Sequence, residues 1–349
     1  MKQTKIAGIG MYVPEQIISN QDLSAVMDTS DSWIRERTGI QERHYASYGK
    51  ETSTTMGVKA AEQAIKRAGI TAADIDFIIF ATLSPDYFFP GCSVLLQRSM
   101  EMKEVAALDI RNQCSGFVYG LSIADQFIKT GMYKNILVVA AETQSFALNF
   151  SNTGRNVSVI FGDGAGAVVL QPTNQPNSGI LSTHLHSDGK GAELLSMINP
   201  GFHGGYYKNG QNNSEEISAF NRPFITGEQK EEHDFDAFMD GQVVFKKAVE
   251  KFPEVIMEAL NANQLQTNDI SILIPHQANL RISQFIQQKL KLTDEQVFNN
   301  IQRYGNTTAA SVPIALCEAW EQGKIKDGDI VCLAAFGSGF TWASALLRW

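Results

Sequence analysis

The sequence predicts an α/β protein made of two similar halves, and three observations carry that prediction. First, apolar runs of strand length alternate with helical patterns. "DIDFIIFATLS" (74–84) follows the helical "MGVKAAEQAIKRAG", and "ILVVAAE" (136–142) follows "SGFVYGLSIADQFIKTG". Runs without polar alternation are what strands covered on both faces look like. Second, the pattern returns. "AGITAADIDFIIFATLSP" is echoed by "LNANQLQTNDISILIPHQ", with Asp74 matching Asp269 (offset 195), and "ILVVAAE" by "IVCLAAF", with Ile136 matching Ile330 (offset 194). Third, "FGDGAGAVVL" (161–170) is echoed by "FGSGFTWASALL" (336–347). Two matches at nearly constant offset, with the third following in the same order, point to a duplicated unit.

The halves are expected over 1–172 and 173–349, joined near the Pro- and Asn-rich "QPTNQPNS" (171–178). One segment breaks the pattern. Residues 199–236 are polar, Gly- and Asn-rich and weakly periodic, which suits a lid, a binding loop or a neutral surface insertion.

Composition narrows the function classes. With 349 residues, 44% of them hydrophobic, the chain can bury a large core. A net charge of −8 argues against general nucleic-acid binding, which needs a basic footprint. Four cysteines (Cys92, Cys114, Cys317, Cys332) give no disulfide framework. The first residues lack the pattern of a secretory signal, and no apolar stretch reaches the ~20 residues of a membrane span. A soluble, cytoplasmic setting is expected.

Cys114 stands out among the cysteines. It directly precedes a helix, beside Ser115 and Gly116, where the positive end of the helix dipole favours a thiolate. Cys317 and Cys332 lie in apolar helix and strand patterns and, with Cys92, read as buried small hydrophobes. His276 in "ILIPHQANLRI" follows a strand at its carboxyl end, the usual edge for function in α/β sheets. Asn306 in "RYGNTTAASVP" sits at another turn before a helix, where an N-cap is the plain alternative. The spans Cys114–Gly131 and Asn306–Gly323 have equal length, so Cys114 and Asn306 are expected at corresponding places in the two halves. Cys, His and Asn together form a nucleophilic arrangement. The glycines of "GDGAG" (162–166) and "GSG" (337–339) do not fit a dinucleotide fingerprint and read as tight turns whose N–H groups can line an oxyanion hole. His184 and His186 lack an obvious carboxylate or cysteine cluster, so no metal site is expected.

These residues resemble a known family. "CSGF" at Cys114, "PHQANLRI", "GNTTAASVP", the ending "FGSGFTWASALLRW" and the early "TSDSWIRERTGIQERH" (29–44) are similar to β-ketoacyl-acyl carrier protein synthase III. The resemblance implies a thiolase-like fold, two α/β halves in a five-layered αβαβα arrangement, normally a homodimer. It implies an acyltransferase that condenses an acyl-CoA with malonyl-acyl carrier protein, losing carbon dioxide, at the start of fatty acid or related polyketide synthesis. Coenzyme A is then part of a substrate, and no separate cofactor is implied. Cys114 would carry the acyl group, and His276 and Asn306 would stabilise the enolate. The backbone N–H groups of Cys114 and Ser338 would hold the oxyanion. Trp33 and Arg155 would sandwich the CoA adenine, with Arg37 near its phosphates. Arg281 would face the acidic carrier protein. Phe89 would reach across the dimer to limit the acyl pocket, and Met239, Gly241 and Phe245 would line the tunnel.

Three features depart from the family pattern. They are the polar "RNQC" before the nucleophile, Ser338 in place of a frequent glycine, and the long 199–236 segment. They leave room for a specialised secondary-metabolite ketosynthase with a longer or branched acyl group. A non-decarboxylating acyltransferase, with His276 as general base, uses the same residues. A catalytically silent acyl-binding partner fits poorly, because Cys114, His276 and Asn306 are all present.

Overall fold

The computed structural model describes residues 2–202 and 235–349, so most of the 199–236 segment lies outside the described residues. Two mixed sheets organise the chain. In the first, the spatial order is Gln3–Tyr12, Gly164–Thr173, Ile136–Glu142, Phe77–Ala81, Ala106–Ile110. The last three run parallel, and the first two join antiparallel. In the second sheet the order is Gly179–Ser187, Thr341–Arg348, Ile330–Gly337, Ile272–Pro275. Ile272–Pro275 is parallel to Ile330–Gly337, and the remaining pairs are antiparallel. A parallel bridge from Leu273 to Val297 stands where the fifth strand of the first sheet would be. The two sheets thus have the same order and orientation.

Helices fill the layers between and outside the sheets. Ser53–Arg67 packs on the outer face of the first sheet, with Met56, Ala60 and Ala64 against Ile78, Phe80 and Val139. Gly116–Lys129 and Ser311–Glu321 lie between the sheets, in one core cluster with Ile79, Val138, Ile274 and Leu333. Gly241–Ala262 and Leu280–Leu290 cover the far face of the second sheet. The result is the αβαβα stack. Strands Phe77–Ala81, Ile136–Glu142 and Ile330–Gly337 are buried at every position because helices cover both their faces, which explains their unbroken apolar runs.

Two expectations need correction. "GDGAG" is not a turn throughout, since Gly164 to Gly166 begin a strand. The glycine at 166 serves close packing, because an added Cβ would lie 2.6 Å from the Pro313 Cβ on the central helix. Cys114 and Asn306 are also not equivalent. Cys114 is the middle residue of the 3₁₀ turn Gln113–Ser115, and the matching turn is Thr308–Ala310, with Ala309 in the middle. Both turns begin with a left-handed residue, Gln113 (φ 42°) and Thr308 (φ 47°). The equal spans arose because Ser311–Glu321 is 11 residues and its counterpart Gly116–Lys129 is 14, so the two ends drift apart by three positions.

Candidate active site

Cys114 sits where its 3₁₀ turn packs on the second turn, Thr308–Ala310, and on the strand Ile330–Gly337. Gly337 makes that approach possible, since a Cβ there would lie 2.7 Å from the Cys114 Cβ and 3.1 Å from its sulfur. The backbone N–H groups of Cys114 and Ser338 lie near enough to the sulfur to favour its charged form. They are the pair expected for an oxyanion hole, and such preorganised donors act where charge develops. The Ser338 hydroxyl donates to the Leu195 carbonyl and ties this loop to the short strand Leu195–Ser196.

The electrostatics of the thiol correct the sequence reading. Burial pushes Cys114 up to about 12, and the charge of Glu142 adds to the rise, while the two N–H groups oppose it. The helix terminus therefore does not hold a resting thiolate; the site holds a thiol. Glu142 ends the strand Ile136–Glu142 and was not singled out from sequence. It is fully buried and accepts from Ser84 Oγ (2.6 Å), Thr82 Oγ1 (3.1 Å) and Gln144 Nε2 (3.2 Å). Burial raises its own pKa. A charged residue closing an apolar strand was the available signal.

His276 follows the strand Ile272–Pro275 and is anchored by its own N–H, which donates to the Ala334 carbonyl at 2.8 Å. Its Nδ1 lies 2.6 Å from Ser311 Oγ, and its Nε2 is buried with no partner among the described residues. Burial lowers its pKa to about 3, so the ring is neutral near pH 7. Asn306 precedes the turn Thr308–Ala310. Its Oδ1 accepts from the Thr308 N–H (2.9 Å), which fixes the amide and leaves its NH₂ group to act as donor. Its backbone is held by Ile160 and Gly162 (2.9 and 3.1 Å). All three are buried; Cys114 lies against Gly337, His276 is bonded to Ala334 of the same strand, and Asn306 precedes the turn that packs on the Cys114 turn.

A cleft of about 960 Å³ is lined by Trp33, Arg37, Val159, Ile160, Met239, Gly241, Phe245, Asn279 and Arg281, among others. One of its lining residues, Ile160, accepts from the Asn306 N–H through its carbonyl at 2.9 Å. The Arg37 and Arg155 guanidiniums lie 4.4 and 5.0 Å from the centroid of the Trp33 ring, within cation–π range. Arg155 already contacts the ring and bonds the Asp28 carbonyl at 2.7 Å, so an adenine stacked on Trp33 would have to displace it. Arg281 is at the rim, its guanidinium 5.9 Å from the Phe245 ring. Asn279, which sequence reading passed over, caps the helix Leu280–Leu290 and donates to the Arg37 carbonyl at 2.8 Å, fixing two walls of the cleft together. Phe89 does not line the cleft; it is 77% exposed, beside the partly exposed Tyr87 and Phe88.

Matches to known proteins agree with this geometry. Residues 108–189 match the family described as 3-oxoacyl-(acyl-carrier-protein) synthase III, and 260–349 match its C-terminal model. The β-ketoacyl-acyl-carrier-protein synthase III of Rhodospirillum centenum is 43% identical over 347 residues, covering 99% of this chain and 98% of the relative. The chain belongs to the synthase III family.

Solved family structures superpose closely. The synthase III of Aquifex aeolicus gives a TM-score of 0.87 at 41% identity, covering 99% of this chain and 100% of that one. The priming β-ketosynthase of a polyketide pathway gives 0.85 at 30% identity, covering 99% and 96%. Among the described residues no group of three or more His, Cys, Asp or Glu is arranged to hold a metal. His184 and His186 do have a carboxylate neighbour, Glu258, at 3.2 and 2.6 Å, which sequence reading did not find. No helix among the described residues is long and apolar enough to cross a membrane.

Proposed function

We propose that this synthase III carries out a two-stage condensation in which the two sides of the buried site do different work. In the first stage the Cys114 sulfur attacks the thioester carbon of an acyl-CoA. The carbon–sulfur bond to CoA breaks, the thiol proton ends on the departing CoA sulfur, and Cys114 carries the acyl group. In the second, malonyl-acyl carrier protein enters the same cleft and loses carbon dioxide. The Nε2 of His276 and the amide NH₂ of Asn306 donate to the thioester oxygen as the enolate forms. The enolate carbon attacks the acyl-Cys114 carbonyl, and the N–H groups of Cys114 and Ser338 hold the oxyanion. Collapse releases a 3-oxoacyl-carrier protein and the Cys114 sulfur, which regains a proton.

The observation that carries this reading is the arrangement of donors. A neutral buried histidine and a fixed amide provide one pair of donors and the N–H groups beside the sulfur another, enough to serve two developing oxyanions. In support of the remaining roles, Trp33, Arg37 and Arg155 form a cationic aromatic patch for the CoA nucleotide, and Arg281 stands at the rim for the acidic carrier protein. Met239, Gly241 and Phe245 line the route for the pantetheine arm. We also infer a homodimer, because Ala106–Ile110 is an edge strand with Leu108 exposed. Phe89 then limits the partner's acyl pocket. A cytoplasmic, reducing setting suits four unpaired cysteines. The kinship to a polyketide priming enzyme favours keeping a second reading, a specialised ketosynthase with a longer or branched primer.

The test is intact-protein mass spectrometry with a panel of acyl-CoAs, paired with carbon dioxide release from labelled malonyl-carrier protein. A single adduct lost in Cys114→Ala, and gas release dependent on a productive primer, are expected. Acyl transfer without carbon dioxide release for every primer would overturn the condensation.

A further inference from the structure

We propose that Ser311 is a positioning residue that fixes His276 in the tautomer protonated at Nε2, making the buried, unpartnered nitrogen a hydrogen-bond donor. The argument is an accounting of protons. Ser311 is buried at the start of the central helix Ser311–Glu321, and its Oγ has two neighbours, His276 Nδ1 at 2.6 Å and the Gln277 N–H at 3.3 Å. A backbone N–H can only donate, so Gln277 takes one lone pair of the hydroxyl oxygen. Among the described residues the hydroxyl proton then has Nδ1 as its one acceptor within hydrogen-bond distance. Were Nδ1 protonated, it would donate to Ser311 as well, and the hydroxyl proton would be left buried with no acceptor. With Nδ1 bare, each of these groups is satisfied. A neutral ring has one proton, so it sits on Nε2.

The surroundings hold this arrangement in place. His276 is anchored through its N–H to Ala334. Gln277, next in the chain, donates from its side chain to the Pro275 carbonyl (2.7 Å) and accepts from the Asn300 N–H (3.0 Å). The N–H that Gln277 presents to Ser311 is therefore fixed from both sides. Orientation of a catalytic imidazole by the partner of its other nitrogen is a general device.

The inference rests on the condensation reading and sharpens it. A ring that accepts from Ser311 at Nδ1 and carries its proton at Nε2 cannot take a proton at Nε2. It suits a donor to an enolate oxygen and does not suit the general base that a non-decarboxylating acyltransferase needs.

The experiment is nitrogen NMR of the full chain labelled with ¹⁵N-histidine, with the His276 signals identified by their loss in His276→Gln. The expected wild-type spectrum has a protonated-type Nε2 and an unprotonated-type Nδ1. Ser311→Ala should shift His276 toward a tautomer mixture, and decarboxylation should fall on the order of 10- to 100-fold while Cys114 acylation is kept. Ser311→Thr, which retains the hydroxyl, should restore both. A wild-type His276 protonated at Nδ1 overturns the proposal even if Ser311→Ala does not fold, and so does an unchanged tautomer in a folded Ser311→Ala. If the tautomer depends on Ser311 but no primer supports carbon dioxide release, the condensation fails and the Ser311 assignment stands.

Discussion

The turns Gln113–Ser115 and Thr308–Ala310 are the same piece of backbone used twice. Each begins with a left-handed residue, each runs straight into a central helix, and each is buried at its middle position, Cys114 in one and Ala309 in the other. Burial does not explain why one of them is reactive. Cys92, Cys317 and Cys332 are also pushed up to about 12 by burial, as Cys114 is. What sets Cys114 apart is the pair of N–H groups at its sulfur and the close approach that Gly337 permits. The duplication provided two equivalent scaffolds. In the proposed mechanism divergence put the nucleophile on one and left the other to carry Asn306 just upstream and Ser311 just downstream.

The largest effect should come from breaking this asymmetry at its centre. Cys114→Ala is expected to abolish covalent acylation in intact-protein mass spectrometry, whereas Ala309→Ser should keep it. Placing a cysteine at 309 in the Cys114→Ala background should not restore the adduct, because Gly337 and the Ser338 N–H lie against position 114. A 309-linked adduct would show that the turn alone makes the site.

The next effect is on pH dependence. His276 is held near 3, well below the value it has in the unfolded chain. Between about pH 6.5 and that value the unfolded state binds a proton the folded state refuses, so stability is full above the window and falls as pH drops through it. His276→Gln should remove one proton's worth of slope, about 1.4 kcal/mol per pH unit. Denaturant titrations of both proteins from pH 6 to 4 measure it, and equal slopes would mean that the ring ionises freely in the folded state.

Much of this was legible in the sequence, and the limits are physical. The repeat, the buried strands and the Cys, His and Asn junctions were visible because each left a local pattern. Glu142 and Ser311 were not, since their meaning depends on neighbours dozens or hundreds of positions away. Glu142 gathers Ser84 and Thr82, and Ser311 meets His276, 35 positions back. The false pairing of Cys114 with Asn306 came from counting to helix ends, where one helix is three residues shorter. The expected thiolate failed because the helix terminus is a small favourable term beside full burial and a neighbouring carboxylate.

The smallest effect separates the two turns by strain. A left-handed backbone costs a residue with a side chain about 1–2 kcal/mol, part of which glycine returns as unfolded-state entropy. Gln113→Gly should therefore stabilise the fold by under about 1 kcal/mol in thermal unfolding. Thr308→Gly should gain less, because the Thr308 side chain is fully buried and its removal sacrifices packing. Equal gains at both would mean that the buried Thr308 side chain contributes nothing.

The claim that joins these points is that the site divides its labour, with the sulfur side accepting the acyl group and the His276–Asn306 side generating the carbon nucleophile. It is tested most directly in His276→Ala and Asn306→Ala, by mass spectrometry of Cys114 with acyl-CoA and carbon dioxide release from labelled malonyl-carrier protein. Full acylation is predicted in both variants, with decarboxylation lower by on the order of 10² to 10³, the loss typical of an oxyanion donor. Loss of acylation in both folded variants, or decarboxylation at the wild-type rate, would contradict it.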